Sequence, residues 1–279
     1  MAVWRLPSNP ARPRSSFNWG WEPRLSSNGR THDWGLWPMS AAFRGLFVTG
    51  TDTGVGKTHV AAMIVRELRS AGIRVGAFKP ACSGSEQDQS GADVWDDIRR
   101  LQAALGMVAS QDDICPQRFR APLAPPVAAR AESRIVDLQA IDAALTRWGN
   151  RADAVVIEGV GGWLCPLTED ATFADWAAGW GFPVLIVSRL GLGTINHSLL
   201  TIESVRSRGL TAAGVVLNAA TPGLDLSTDT NPGEIESRSG VPVLGCVNYG
   251  RPAELLRGGE PVRMEWQTLM EPARRERHG

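Results

Sequence analysis

Residues 50–58 read Gly-Thr-Asp-Thr-Gly-Val-Gly-Lys-Thr, directly after an apolar run at 46–49 and directly before a stretch with helical periodicity. This loop constrains the fold more than any other part of the chain. Its glycines let backbone N–H groups turn inward around phosphate oxygens, and the following helix adds the positive end of its dipole. Lys57 is then placed to bridge β- and γ-phosphates, and Thr58 offers a hydroxyl to Mg2+, a cation that keeps several waters and takes few protein oxygens. Five residues separate Gly50 from Gly56, one more than in the standard phosphate loop.

Around the loop, short β-branched runs alternate with helical patterns, which predicts an α/β fold: a P-loop NTPase-like, doubly wound, mostly parallel sheet with helices on both faces. Strands are expected at 46–49, 75–78, 154–157, 184–187, 215–217 and 243–247, each nearly all apolar, as strands buried on both faces are. Val60, Ile64, Leu68 and Ala71 recur at helical spacing before Gly72, and further helices fit 93–105, 138–148, 173–178 and 198–208. The Pro-rich stretch 116–126 reads as a loop over the sheet edge.

Residues 1–44 have a different character, with six Arg against Glu22 and Asp33, five Trp, and no periodicity. They read as a disordered or non-native extension, with Met39 as the expected first residue in preference to an organelle transit peptide, whose amphipathic helix the prolines would break, ahead of a single domain at 45–279. Lys+Arg and Asp+Glu both total 29, so no overall field draws the chain to nucleic acid or an anionic membrane. No apolar run approaches the ~18 residues of a membrane span. Cys82, Cys115, Cys165 and Cys246 lie far apart without a CxxC pair, which excludes an encoded zinc site or disulfide framework and fits a reducing cytoplasm.

Two further constellations end predicted strands. Residues 155–162 read Val-Val-Ile-Glu-Gly-Val-Gly-Gly, and in a doubly wound sheet ligands gather at the carboxyl ends of strands, so Glu158 is placed to hold Mg2+ beside the loop. A dinucleotide fingerprint is excluded because Leu164 stands at its third glycine position. Residues 78–84 read Phe-Lys-Pro-Ala-Cys-Ser-Gly and bring a second lysine, Lys79, toward the nucleotide, with Ser83 able to donate to an anionic substrate.

Taken in order, GTDTGVGKT, FKPACSGSE, VVIEGVGGWLCPL with FADW, GLGTINHSLL and GVVLN resemble the dethiobiotin synthetase family over residues 45–218. The resemblance implies an ATP- and Mg2+-dependent ligase of biotin biosynthesis. In that reaction diaminopelargonate (7,8-diaminononanoate) takes up CO2 or bicarbonate as a carbamate, ATP activates the carbamate, and the second amine closes the ureido ring, leaving dethiobiotin, ADP and phosphate. It assigns Thr53, Lys57, Lys79 and Ser83 to catalysis. Asp52, Thr53, Gly54, Val55, Gly56, Lys57, Thr58, Glu158, Gly161 and Asn218 would contact the nucleotide, Asn218 reading adenine. Thr58, Asp97 and Glu158 would hold the metal, with Asp96 the alternative to Asp97. Asn196 would reach substrate across a homodimer interface. His197, Trp163 and Trp176 read as structural neighbours.

The chain departs from the family after Asn218. Where the family carries a Glu-x-Pro segment for the adenine pocket, residues 245–249 read Gly-Cys-Val-Asn-Tyr, and no aromatic residue stands between 221 and 232 for the substrate carboxylate. A partitioning-type switch ATPase is the alternative reading, yet its signature lysine position is Asp52 here. Another synthase on the same fold would share Lys57, Thr58 and Glu158 but not the segment 79–84.

Overall fold

Six parallel strands form the centre of the computed structural model, which describes residues 3–4, 43–107, 109–223, 227–250 and 254–271. They are β1 (Arg44–Gly50), β2 (Val75–Phe78), β5 (Ala154–Glu158), β6 (Val184–Arg189), β7 (Ala212–Asn218) and β8 (Val243–Val247). The order across the sheet is β8-β7-β6-β1-β5-β2, extended past β8 by the short antiparallel strands β9 (Leu256–Arg257) and β10 (Glu260–Pro261). The α/β reading therefore holds, and so does the burial: all five residues of β5 and the first five of β6 are buried. Parallel neighbours require crossovers, and helices α1 (Lys57–Ser70), α4 (Leu138–Gly149), α5 (Phe173–Trp180), α6 (Thr194–Ser207) and α7 (Asn231–Ser239) supply them. Between β2 and α4 run β3 (Ala81–Ser83), α2 (Asp96–Ala104), β4 (Gln117–Phe119) and α3 (Pro125–Ala131).

On one face an aromatic cluster fills the sheet–helix interface. Phe47 meets Phe173 edge-on at 5.7 Å, and Trp176 contacts Phe47 and Phe78 at centroid separations of 5.7 and 6.4 Å. Aromatic burial of this size dominates core energetics, and edge-on geometry adds roughly 0.5–1.5 kcal/mol per pair. The carboxylate of Asp142 on α4 caps the cluster, accepting from Trp176 Nε1 at 2.8 Å and Trp180 Nε1 at 3.1 Å. On the other face α1 is buried through Val60, Ile64 and Leu68, with Gly72 at φ 80° closing its C-terminus, as the spacing predicts. The tail folds back on this helix: buried Trp266 donates to Glu67 Oε2 at 2.7 Å.

Three local expectations are corrected. The Pro-rich stretch is not all loop: residues 117–119 pair in parallel with 81–83, and Pro125 opens α3. Helix α2 begins at Asp96 rather than 93, because Asp93–Val94 pairs with Glu86–Gln87. Helix α6 begins at Thr194 rather than 198, since Gly193 in the left-handed region serves as its N-cap and Thr194 is buried. At the N-terminal end, Phe43 is buried and Arg44 already belongs to β1. Val3–Trp4 pairs in parallel with Arg263–Met264. Residues 5–42, with the expected start at Met39, lie outside the described residues.

Candidate active site at the phosphate loop

The phosphate loop leaves the C-terminal end of β1 and turns through Gly54 at φ 74° and Gly56 at φ 97°, conformations that side chains with a Cβ rarely adopt. Helix α1 then starts at Lys57 with no side-chain N-cap and no acidic residue in its first turn. Its first N–H groups are thus left for an anion, which is what the sequence demanded of a phosphate site. Glycines of the β5 loop pack on it: Gly159 N donates to Val48 O at 2.9 Å and Trp163 N to Gly50 O at 3.2 Å. Gly161, at φ 58°, lies so close that an added Cβ would sit 2.8 Å from Cys165 Sγ and 3.6 Å from Thr53 Oγ1.

A cavity of about 370 Å3 opens here, lined by Thr53, Gly54, Gly56, Lys57, Thr58, Lys79, Ser83, Asp97, Glu158 and Gly161 among others. Asp96 and Arg100 also face it, but they pair with each other at 2.7 Å on the exposed side of α2. Asp97 instead turns inward. Of the two aspartates, Asp97 is the one joined to Thr58, whose Oγ1 stands 2.8 Å from Asp97 Oδ1 and 2.7 Å from Glu158 Oε1. Lys79, just past β2, completes the group, with its Nζ 2.6 Å from Glu158 Oε1 and 2.9 Å from Asp97 Oδ2. The register explains the meeting, because Phe78 pairs with Ile157, so the next residue of each strand emerges at the same edge.

Charge in this group is strongly coupled. Burial opposes the ammonium of Lys79, but Glu158 and Asp97 outweigh it and hold its pKa above the ordinary lysine range, so it stays protonated. Burial pushes the Glu158 carboxyl up, offset in part by Lys79. Asp97 goes the other way: burial raises it, yet Lys79 and the Thr58 hydroxyl bring it below the usual aspartate value. Lys57, 6% exposed, is lowered by burial, with Glu158 pulling back, and its Nζ donates to Asp52 O at 3.0 Å.

The donor set fits a small hard cation. The single hydroxyl hydrogen of Thr58 faces two carboxylate oxygens within 2.8 Å and can satisfy only one of them. Glu158 Oε2 is buried with no hydrogen-bond partner. Two carboxylates and a hydroxyl are the few protein oxygens that Mg2+ takes while keeping waters.

Thr53 N donates to Asp52 Oδ1 at 2.7 Å in the exposed part of the loop. Ser83 ends β3, held by the pairing of 81–83 with 117–119. Val55 is buried, and its carbonyl accepts from Asn218 Nδ2 at 2.9 Å. Asn196 lies on the first turn of α6 and does not line the cavity. Trp163 and Trp176 are core residues. The sequence reading missed His59, Cys82 and Val160, which also line the cavity. For His59 the signal was its place beside Thr58; burial, with Arg66 and Arg100, keeps its pKa below the ordinary histidine value. A larger surface cavity, about 590 Å3, lies against Trp95, Arg118, Arg120 and Arg134. Each of those guanidiniums is ion-paired, to Asp112, Asp93 and Glu132 respectively.

Comparison with known proteins gives the family. The family profile described as an AAA domain matches residues 44–254. The chain is 50% identical over 192 residues to the ATP-dependent dethiobiotin synthetase BioD of Anaeromyxobacter dehalogenans, covering 69% of this chain and 84% of that protein. It is 46% identical over 208 residues to the protein of the same description from another Anaeromyxobacter strain, covering 75% of this chain and 91% of that one. The corresponding protein of Akkermansia muciniphila is 39% identical over 208 residues, covering 75% of this chain and 93% of its own length.

Proposed function

This chain belongs to the ATP-dependent dethiobiotin synthetases, and from that premise we propose how its residues carry the reaction. It is an ATP-dependent ligase of biotin biosynthesis, with diaminopelargonate and CO2 or bicarbonate as co-substrates. The observation that carries the residue-level reading is the convergence of Lys79, Thr58, Asp97 and Glu158 at the mouth of the phosphate loop. Phosphoryl transfer asks the protein mainly for positioning and for cations aimed at developing charge. The N–H groups of the loop and of the first turn of α1 cradle the β- and γ-phosphates. Lys57 follows the γ-phosphoryl group, and its lowered pKa marks a cation that gains from an anionic partner.

Lys79, Ser83 and Thr53 line the same cavity as the phosphate loop, which supports assigning them to the carbamate carboxylate and the transferring phosphoryl group. Held there, the carbamate oxygen attacks the γ-phosphorus and ADP leaves. The resulting mixed anhydride carries a good leaving group, and the second amine of the same substrate closes the five-membered ring with loss of phosphate. Holding the reacting ends together makes that closure effectively unimolecular. Thr58, Asp97 and Glu158 are the residues that would hold Mg2+, which when bound neutralises charge on the phosphate oxygens.

Three coarser readings accompany this. Residues 45–279 are read as one domain, supported by one core among the described residues that runs from Phe43 to Met270, so that the domain takes in Phe43 and Arg44 as well. A homodimer reading is supported by the start of α6, where Leu200 on the helix and Leu192 in the turn before it are exposed on either side of Asn196 in sequence. A cytoplasmic enzyme is consistent with the four free cysteines; no helix among the described residues is long and apolar enough to cross a membrane.

The test is isotopic. Purified protein with MgATP, diaminopelargonate and 13C-bicarbonate should yield dethiobiotin with one labelled ureido carbon by mass spectrometry. Unlabelled product, or none, contradicts the reading.

A further inference from the structure

Asn218 ends β7, and β6 stands between that strand and β1, from which the phosphate loop emerges. Its main chain is fixed on both sides: Leu190 N donates to its carbonyl at 2.9 Å, and the next residue, Ala219, donates to Val247 O at 2.9 Å. From this anchored position the side chain, 5% exposed, reaches past β6 and donates from Nδ2 to Val55 O at 2.9 Å. The same nitrogen fills the space beside Gly56, where an added Cβ would meet it at 2.1 Å. Helix α1 has no side-chain N-cap of its own, so the turn at Val55 and left-handed Gly56 is held from outside by a residue 163 positions away.

We propose that Asn218 is a positioning residue for the phosphate loop. It holds the Val55–Gly56 turn so that the first N–H groups of α1 and the Lys57 ammonium are aimed at the phosphates. The amide that the family resemblance assigns to adenine thereby sets the geometry of the phosphate loop. Whatever contact Asn218 makes with adenine, one hydrogen of its amide NH2 is given to the loop. Removing that donor leaves a buried carbonyl unpaired and frees a turn whose conformation only glycine tolerates. This inference rests on the reading of residues 50–58 as a phosphate site.

Inorganic tripolyphosphate separates the roles, since it carries phosphates and no base. Its affinity, and that of ATP, should be measured by calorimetry with Mg2+ for wild type, Asn218→Ala and Asn218→Asp. The aspartate keeps the shape of the side chain and replaces the donor by an acceptor, so it covers the case in which the alanine variant does not fold. We expect both ligands to weaken about tenfold or more, the scale of one lost buried hydrogen bond. Backbone hydrogen exchange at residues 54–58 should quicken in the same variants, while exchange in β6 stays at the wild-type rate. Tripolyphosphate bound as tightly as by wild type, with only ATP weakened, overturns the proposal and leaves Asn218 a base contact. Faster exchange throughout the sheet also overturns it, in favour of a general structural role. Wild-type protein that binds neither ligand, or ATP alone, overturns the phosphate-loop reading itself.

Discussion

Lys79 and Glu158 emerge side by side from the adjacent strands β2 and β5 and meet at 2.6 Å, 4% and 1% exposed. A buried pair of this kind is not a source of net stability, because desolvating two charges offsets most of their attraction. Its retention makes chemical sense as a cation kept charged at a fixed place. Removing either partner, however, strands the other.

Lys79→Met is therefore expected to lose stability by roughly 3–5 kcal/mol, the cost of an uncompensated buried charge. The double variant Lys79→Met with Glu158→Gln should recover most of that loss while remaining inactive. Denaturant melts of the two singles and the double form a cycle that checks the coupling. Additive losses would show that the two side chains do not depend on each other.

Thr58 makes a sharper prediction about the metal. Thr58→Ala should weaken Mn2+ or Mg2+ affinity, measured by calorimetry with ADP present, by about 10- to 100-fold, whereas Thr58→Ser, which keeps the hydroxyl, should stay close to wild type. Equal affinity in the alanine variant would remove the hydroxyl from the metal site.

Asp142 predicts a pH dependence of stability. Burial raises its carboxyl above the ordinary aspartate value, with the indole donors of Trp176 and Trp180 only partly offsetting it. A raised folded pKa means the native state binds the proton more tightly than the unfolded chain. The stability this contributes is full below the unfolded value near 3.8 and is lost as pH rises through the raised folded value. In Asp142→Asn the side-chain amide cannot titrate, and its oxygen can still accept from both indoles. The melting temperature of this variant relative to wild type should thus climb between acid and neutral pH and be at least equal to wild type at neutrality. A difference independent of pH would show that Asp142 does not titrate in that range.

The exposed start of α6 and the turn before it predict assembly. Leu192 is 88% and Leu200 56% exposed, on either side of Asn196. Leu200→Asp is expected to shift the protein from dimer to monomer in light scattering and to raise KM for the diamine while melting like wild type. A wild-type protein that is monomeric at micromolar concentration would exclude a substrate site shared between copies.

Much of this was legible in the sequence because its signals are local. The phosphate loop is a contiguous string, the buried strands are contiguous apolar runs, and Glu158 and Lys79 each announce themselves as the polar residue at the end of such a run. What escaped is tertiary. Residues 117–119 form a strand only because 81–83 pair with them, and a three-residue strand in a Pro-rich stretch has no period to detect. The start of α6 was hidden because Gly193 carries no side-chain cap signal. The choice between Asp96 and Asp97 is invisible to spacing alone, yet Arg100 one turn on, the partner of Asp96, was a readable clue. The bond from Asn218 to Val55 joins residues too distant for any local pattern.

The ligase activity is tested most directly by phosphate release from purified protein with MgATP and bicarbonate, with and without diaminopelargonate, in wild type and Lys79→Ala. The expected release requires the diamine, matches dethiobiotin one for one, and falls by at least about 100-fold in the variant, as loss of a group aimed at transition-state charge does. Release indifferent to the diamine, with no dethiobiotin formed, would contradict it and leave a nucleotide hydrolase on this fold.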